Sequence, residues 1–261
     1  MSLDNLHLQR LYQSFLNTPL LWESHSVLGL KQLQNLEHTI SPFIRSLDRK
    51  LRLGQLAEQF VFNQLEQLEH CKIISENVQI QKNRQTLGEL DALIELHNES
   101  IHLEIVYKFY LFDETLGTTE LEQWIGPNRN DSLIQKLTKL KDKQLPLLYS
   151  PECKSTIEDL DFNTKTVKQR VLFKAQLFIP YKTSIDCSQL NKNCITGFYI
   201  TKQQLESFNT CEFYIPLKLD WFLDVHNSVN WVDINTIKIE AKLNNVIFSA
   251  FINKSLSPEF R

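Results

Sequence analysis

Two neighbouring segments of alternating polar and apolar residues, Thr86–His97 and Ile101–Leu111, constrain the fold of this chain more than any other feature. Alternation with a period of two residues predicts β-strands, and the short polar segment 98–100 between them predicts a turn. Because residues two apart in a strand share a face, one face of the resulting hairpin is predicted to be apolar. That face comprises Leu90, Ala92, Ile94, Leu96, Ile101, Leu103, Ile105, Tyr107 and Phe109.

The opposite face of this hairpin carries charged side chains. Glu89 and Asp91 are predicted to share it in the first strand, and Glu104 and Lys108 in the second. Carboxylates and a lysine gathered on one side of a hairpin are typical of a functional site. The alternative is a hairpin with one solvated face that bears ordinary surface charges.

Residues Leu51–Leu68 give the clearest helical pattern, because their apolar side chains fall on one broad stripe. Glu58 lies at the margin of the stripe, in a row with Val61 and Leu65. Gly54, one turn earlier, would admit the backbone of another segment. A helical glutamate taken alone is usually a solvated carboxylate, so the helix pattern by itself does not make Glu58 functional.

The order of these elements resembles the PD-(D/E)XK nuclease superfamily. The segment Leu53–Glu58 looks like its helical glutamate motif, Gly88–Asp91 like its aspartate motif, and Glu104 with Lys108 like its acid–lysine motif. This resemblance implies a restriction-endonuclease-like core, a mixed sheet flanked by helices. It also implies that Glu58, Asp91, Glu104 and Lys108 meet at one catalytic site.

A second resemblance is more specific. The stretch Glu104–Leu111, with its ExxxKFYL pattern, followed by Gly126–Leu133, with its GPNxxD pattern, is similar to an uncharacterised bacterial family known as a domain of unknown function. That family is grouped with these nucleases by its motifs, GExD among them. Its acid–lysine spacing is wider than the superfamily's usual one intervening residue, because residues 105–107 separate Glu104 from Lys108. Four strand residues place the two Cα atoms about 13 Å apart unless a bulge shortens the gap. Alternatively, Val106 stands at the usual position of the acid.

The resemblance implies a Mg²⁺- or Mn²⁺-dependent nuclease that hydrolyses phosphodiester bonds of DNA or RNA. Asp91, Glu104 and Glu58 would be the metal ligands, with Glu89 as a substitute, because Mg²⁺ prefers carboxylate oxygens. Lys108 would stabilise the negative charge that develops on the phosphate. The alternative is a catalytically inactive relative that keeps the fold and binds nucleic acid or a protein partner.

Downstream of the hairpin, the Gly126-Pro127 breaker precedes a helix that is expected to begin after Asn130 or Asp131 and to run through Gln144. Arg129, Asp131 and Lys136 are candidates for contacts with a nucleic-acid backbone. The competing interpretation is an ordinary solvated helix exterior.

The chain is expected to form one α/β unit with three parts. Residues 1–50 are predicted to be helical, with a first helix that ends near Pro19 and a second that begins at Pro42. Residues 51–150 form the nuclease-like core. Residues 151–261 form a β-rich extension packed on it, with predicted strands at 171–179, 195–201, 212–219 and 236–250.

Composition limits the partners of this chain. With 28 basic and 31 acidic residues its net charge is −3, so any nucleic-acid binding must depend on a local patch. Five scattered cysteines, and histidines without zinc-site spacing, argue against a disulfide framework or a zinc enzyme. The sequence contains no glycine-rich phosphate loop, so a nucleotide cofactor is not expected.

No signal peptide and no membrane-spanning apolar run is recognisable, so a cytoplasmic location is expected. The sequence does not fix the oligomeric state.

Overall fold

A computed structural model describes residues 4–34, 36, 41–224, 229–238 and 251–252. Its α-helices include α1 (Asn5–Asn17), α2 (Leu53–Glu66), α3 (Leu133–Lys139), α4 (Leu145–Leu147) and α5 (Pro151–Asp159), with a π-helix (Leu140–Gln144) between α3 and α4. Short 3₁₀ helices span Lys192–Cys194, Lys202–Phe208 and Asp220–Phe222. The strands are β1 (Ser26–Val27), β2 (Leu30–Lys31), β3 (Cys71–Lys82), β4 (Gln85–Leu96), β5 (Glu99–Phe112), β6 (Trp124–Ile125), β7 (Lys168–Pro180), β8 (Ile195–Tyr199), β9 (Phe213–Tyr214) and β10 (Phe251–Ile252).

A mixed six-stranded sheet is the centre of the fold. Its strands lie in the order β3-β4-β5-β7-β8, and β6 pairs with the end of β5. β3, β4 and β5 are antiparallel, whereas β5, β7 and β8 are parallel. The predicted α/β class, a mixed sheet flanked by helices, is therefore confirmed. Since β7 pairs along most of β5, the boundary predicted at residue 150 falls between neighbouring strands of one sheet.

Helices cover both faces of this sheet, because alternate side chains of β5 enter different cores. Ile105 and Tyr107 pack in a cluster with α1 and α2, which includes Phe15 and Phe60. Val106 packs in a second cluster, with residues from α3 and the π-helix. A third, smaller cluster joins β3 and β4 to α4 and α5. The sheet thus holds α2 and α3 on opposite sides of β5.

The predicted hairpin is present, with two differences. Its turn lies at His97 and Asn98, whose φ angles of 51° and 63° are those of a tight two-residue turn. The alternation in β4 also breaks at Asp91, because Leu90 packs beside α5 while Ala92 packs beside α2. Residues two apart in a regular strand would share a face, so β4 changes direction at Asp91.

The first predicted helix is confirmed as α1, but the second, expected to begin at Pro42, is wrong. Residues 41–52 form no helix, because side chains of α1 and α2 take up the backbone groups that a helix would pair internally. Gln9 bonds both backbone groups of Phe43, at 2.7 and 2.8 Å. Asn63 Oδ1 accepts the N–H groups of Ile44 and Arg45, at 2.8 and 3.3 Å.

The strands predicted at 171–179 and 195–201 are confirmed as β7 and β8. Of the strand predicted at 212–219 only β9 is present, and residues 236–238 are helical, whereas 239–250 lie outside the described residues. Lys174 on β7 is buried and donates to the backbone oxygens of Phe15, Leu16 and Thr18 at the end of α1, so it fixes that helix to the sheet.

No helix in the described part of the chain is long and apolar enough to cross a membrane. The five cysteines are free thiols.

Candidate active site

The candidate site forms where β4 and β5 separate. The two strands pair from Leu96↔Glu99 to Ala92↔Leu103, and beyond that point β4 continues with β3 alone. Asp91 is the first residue past the separation, and its Oδ2 accepts the backbone N–H of Ile105 at 2.8 Å. The carboxylate thus accepts a backbone N–H that lies beyond the last paired residues of β4 and β5. This bond holds Asp91 against β5 beside Glu104.

Glu104 is completely buried and is held by two neutral side chains. Gln144 Nε2 donates to Glu104 Oε2 at 2.5 Å, and His102 Nε2 lies 3.2 Å from Glu104 Oε1. Burial lowers the pKa of His102 to about 4, so the ring is neutral near pH 7. Because Gln169 donates to its Nδ1 at 3.1 Å, the proton is on Nε2, which donates to Glu104.

Glu58 reaches the same site from α2, on the far side of β5 from α3. Burial, and then the negative charges of Asp91, Glu89 and Glu104, raise the pKa of Glu58 from 4.5 to about 8. Burial and the charge of Glu104 likewise raise the pKa of Asp91 from 3.8 to about 7. Burial raises that of Glu104 from 4.5 to about 7. The three carboxyls therefore form one electrostatically coupled group, which we call the acidic site.

Lys136 is the lysine most closely associated with the acidic site. Burial lowers its pKa, and the charges of Glu104 and Asp91 oppose that effect. Its Nζ donates to Gln144 Oε1 at 2.9 Å, so Gln144 bridges Lys136 and Glu104. In an uninterrupted α-helix the residue seven positions after Lys136 would lie in line with it. The wider π turn shifts this register by one, so Gln144 takes that place.

Lys108, predicted as the catalytic lysine, has a different partner. Its Nζ lies 2.7 Å from Asp131 Oδ2. The side chain of Lys108 is 40% exposed and that of Asp131 is 43% exposed. Gly126 makes this pair possible, because a Cβ atom there would lie 1.9 Å from Asp131 Oδ1. Arg129 pairs with Asp113 at 2.7 Å. The Gly126–Asp131 motif thus builds a loop held by ion pairs.

The predicted site residues therefore separate into two groups. Glu58, Asp91 and Glu104 are brought together, Glu89 lies close enough to raise the pKa of Glu58, and Lys136 joins them. Lys108, Arg129 and Asp131 instead form ion pairs along the Gly126–Asp131 loop, and the charge of Lys108 contributes to the lowered pKa of Lys136.

The acidic site offers a divalent cation two carboxylate ligands. Asp91 and Glu104 provide hard carboxylate oxygens, and a cation would stabilise the charged forms that burial disfavours in both groups. Mg²⁺ is held in many proteins by only one or two carboxylates, together with water and substrate phosphate. Among the described residues, no three histidine, cysteine, aspartate or glutamate side chains are arranged to hold a metal ion. Asp91 and Glu104 therefore fit a two-carboxylate site, which Glu58 does not complete as a third ligand.

Sequence reasoning missed three side chains of the site, Gln144, His102 and Gln169. His102 could have been found, because it shares a strand face with Glu104 two residues away. Gln144 could not, because its place depends on a π-helix that the apolar pattern of residues 133–145 does not reveal.

The geometry defines a mixed α/β domain with a buried, coupled group of carboxyls where two strands separate. The sequence model of one family, described as a domain of unknown function (DUF1853), matches residues 7–241, and the chain belongs to this family. Membership in an uncharacterised family is thereby confirmed. No curated protein and no solved structure matches the chain. Kinship with PD-(D/E)XK nucleases stays a prediction.

Proposed function

We propose that the chain is a Mg²⁺- or Mn²⁺-dependent nuclease whose active site is the acidic site. The main support is the coupling of Glu58, Asp91 and Glu104 with Lys136 at the separation of β4 and β5. Two buried carboxyls and a half-buried one with pKa values raised to 7–8 destabilise a fold, and such groups are concentrated at functional sites. The superfamily resemblance of the motifs that supply these acids supports the same reaction class.

In this proposal Asp91 and Glu104 hold the cation, with His102 and Gln144 orienting the Glu104 carboxylate. A bound Mg²⁺ would supply charge neutralisation on the phosphate and a water of lowered pKa. Lys136, rather than Lys108, stabilises the negative charge on the scissile phosphate. Glu58, whose pKa of about 8 lies near neutral pH, accepts or returns a proton at the attacking water.

One observation favours the alternative, a non-catalytic module that binds nucleic acid or a protein partner. Both oxygens of Glu104 are already engaged, by His102 and by Gln144. Cation binding to Glu104 has to displace or share one of these contacts. An inactive relative would keep this arrangement as a permanent structural network.

The proposal is tested by a cleavage assay on DNA and RNA substrates with Mg²⁺ or Mn²⁺ at pH 8. The variants are Asp91→Asn and Lys136→Met, with Lys108→Met as a control that removes the same charge outside the acidic site. We expect Asp91→Asn and Lys136→Met each to slow cleavage by roughly 100-fold or more, the usual loss for a key electrostatic group. Lys108→Met should stay within a few-fold of the parent.

Three results would contradict this assignment. If Lys108→Met loses activity while Lys136→Met keeps it, the lysine role belongs to Lys108. If the Asp91→Asn variant cleaves like the parent, the acidic site is not catalytic. If the folded parent cleaves no form of DNA or RNA with either cation, the non-catalytic module is the better account.

A further inference from the structure

The β3–β4 hairpin extends well past the sheet on the side of the acidic site. Pairing of β4 with β5 stops at Ala92, whereas pairing of β4 with β3 continues to Lys82↔Gln85. Residues 85–91 therefore continue without a β5 partner for about 20 Å, at the usual rise per strand residue. We call residues 78–90 the distal ribbon.

One face of the distal ribbon is anchored. Ile80 and Leu90 pack in a cluster with residues of α5, and Gly88 lies against Leu147 of α4. Lys82 at its end pairs with Glu152 of α5 at 2.6 Å. The ribbon is consequently held by tertiary contacts in one position relative to the acidic site.

Most of the remainder of the distal ribbon is polar and solvent-exposed, and Leu87 is an exposed apolar side chain within it. Gln79 and the whole of residues 81–87 are exposed. This surface offers the amides Gln79, Gln81, Asn83 and Gln85 and the guanidinium of Arg84. Arg84, at the tip, has no ion-pair partner among the described residues, and its φ angle of 67° lies in the region that favours glycine. A solvent-exposed turn gains no stability from an arginine there.

We propose that the distal ribbon enters the major groove of duplex DNA, with Arg84 and the neighbouring amides contacting base edges. The inference rests on the proposed function, because it names the substrate of the acidic site. The major groove, about 12 Å wide, admits a two-stranded β-ribbon, and Arg and Gln are the side chains that pair with guanine and adenine there. β4 runs directly from the ribbon into Asp91, the first residue past its pairing with β5, so the ribbon is continuous with the acidic site. A duplex that holds the ribbon therefore lies beside the carboxyls.

The chemistry of the ribbon favours duplex DNA over other nucleic acids. Residues 78–90 contain no aromatic side chain, whereas proteins that bind single strands stack the bases on aromatic rings. The major groove of an RNA duplex is deep and too narrow for side chains to read. The side chains nearest the tip, the amides of Asn83 and Gln85 and the guanidinium of Arg84, match a wide groove whose base edges can form hydrogen bonds.

The test is the substitution Arg84→Gly, which removes the guanidinium without straining the turn. Asn-Gly is the preferred sequence for a two-residue hairpin turn, so the melting temperature should equal or exceed that of the parent. Asn98→Gly makes the same backbone change in the other turn of β4, and Arg10→Ala removes an exposed arginine from α1. These two variants are the matched controls.

Binding is measured by fluorescence anisotropy in EDTA, so that it is read apart from cleavage. The probes are a labelled 20-base-pair DNA duplex, one of its strands alone, and an RNA duplex of the same sequence. We expect the parent to prefer the DNA duplex at least tenfold, and Arg84→Gly to weaken that binding roughly tenfold, as for loss of one base contact. The controls should remain within twofold of the parent.

The inference is overturned if Arg84→Gly binds the DNA duplex as tightly as the parent does. It is also overturned if the parent prefers the single strand or the RNA duplex, or binds none of the three. If the protein binds the duplex through Arg84 but does not cleave it in Mg²⁺, the ribbon proposal stands and the nuclease proposal is refuted. If the parent cleaves DNA and the Arg84→Gly variant cleaves it equally well, the nuclease proposal stands and the ribbon proposal is refuted.

Discussion

The substitution Glu58→Gln is predicted to stabilise the folded protein at pH 8 while removing a proposed active-site group. The pKa of Glu58 is about 8 in the folded protein and near 4.5 when unfolded, so the folded state binds more protons between these values. This contribution to stability is fully present below about pH 4.5 and is lost as the pH rises through about 8. A neutral glutamine does not ionise, so the variant escapes that loss.

The size of the effect follows from the pKa shift. A shift from 4.5 to about 8 corresponds to at most about 5 kcal/mol at 1.36 kcal/mol per pKa unit. Glu58 is half-buried and titrates together with Asp91 and Glu104, so solvent screening and coupling reduce this to about 1–2 kcal/mol. For a protein of this size that raises the melting temperature by roughly 3–6 °C.

The assay is thermal unfolding of the parent and Glu58→Gln at half-unit steps from pH 5 to pH 8.5. The difference in melting temperature should be near zero at pH 5 and should grow steadily towards pH 8. Glu69→Gln, at an exposed glutamate just after α2, is the matched control and should show no such trend. A lower melting temperature for Glu58→Gln at pH 8, or a difference independent of pH, would refute the coupled acidic site.

Two further predictions concern the Gly126–Asp131 loop and the extended segment 41–52. Gly126→Ala would place a Cβ atom 1.9 Å from Asp131 Oδ1, so calorimetry should show a free energy of unfolding lower by about 1–3 kcal/mol. A Cβ atom at Gly54 would meet nothing within 4 Å, so Gly54→Ala should instead raise the free energy of unfolding by about 0.5–1 kcal/mol. Equal effects of the two would contradict the packing described. Asn63→Leu removes the acceptor of two backbone N–H groups, those of Ile44 and Arg45. Urea unfolding should therefore show a free energy of unfolding lower by roughly 2–4 kcal/mol. A neutral result would mean that water satisfies these groups.

Local periodicity was sufficient for the elements that carry the acids. The alternation on both sides of residues 98–100 gave the hairpin, and the apolar stripe of 51–68 gave the helix that bears Glu58. Each of these patterns reports burial against the sheet, which dominates the choice between helix and strand. The bounds of β4, β5 and α2 differ from the predicted ones by only a few residues.

The errors arose where distant side chains decided the outcome. Residues 41–52 have a plausible cap and proline for a helix, but Gln9 and Asn63 satisfy their backbone in an extended form. Lys108 stands on the expected face of β5, yet Asp131, 23 residues later, pairs with it across a loop that Gly126 closes. Neither contact leaves a periodic signal, so neither could be predicted from a single sequence.

The acidic site is tested most directly by a crystal structure of the protein grown at pH 8 and soaked in Mn²⁺. The account predicts an anomalous peak about 2–2.5 Å from a carboxylate oxygen of both Asp91 and Glu104. The amide of Gln144 should then have moved away from Glu104. A map without a peak at these residues, or with Gln144 still donating to an undisturbed Glu104, would contradict it.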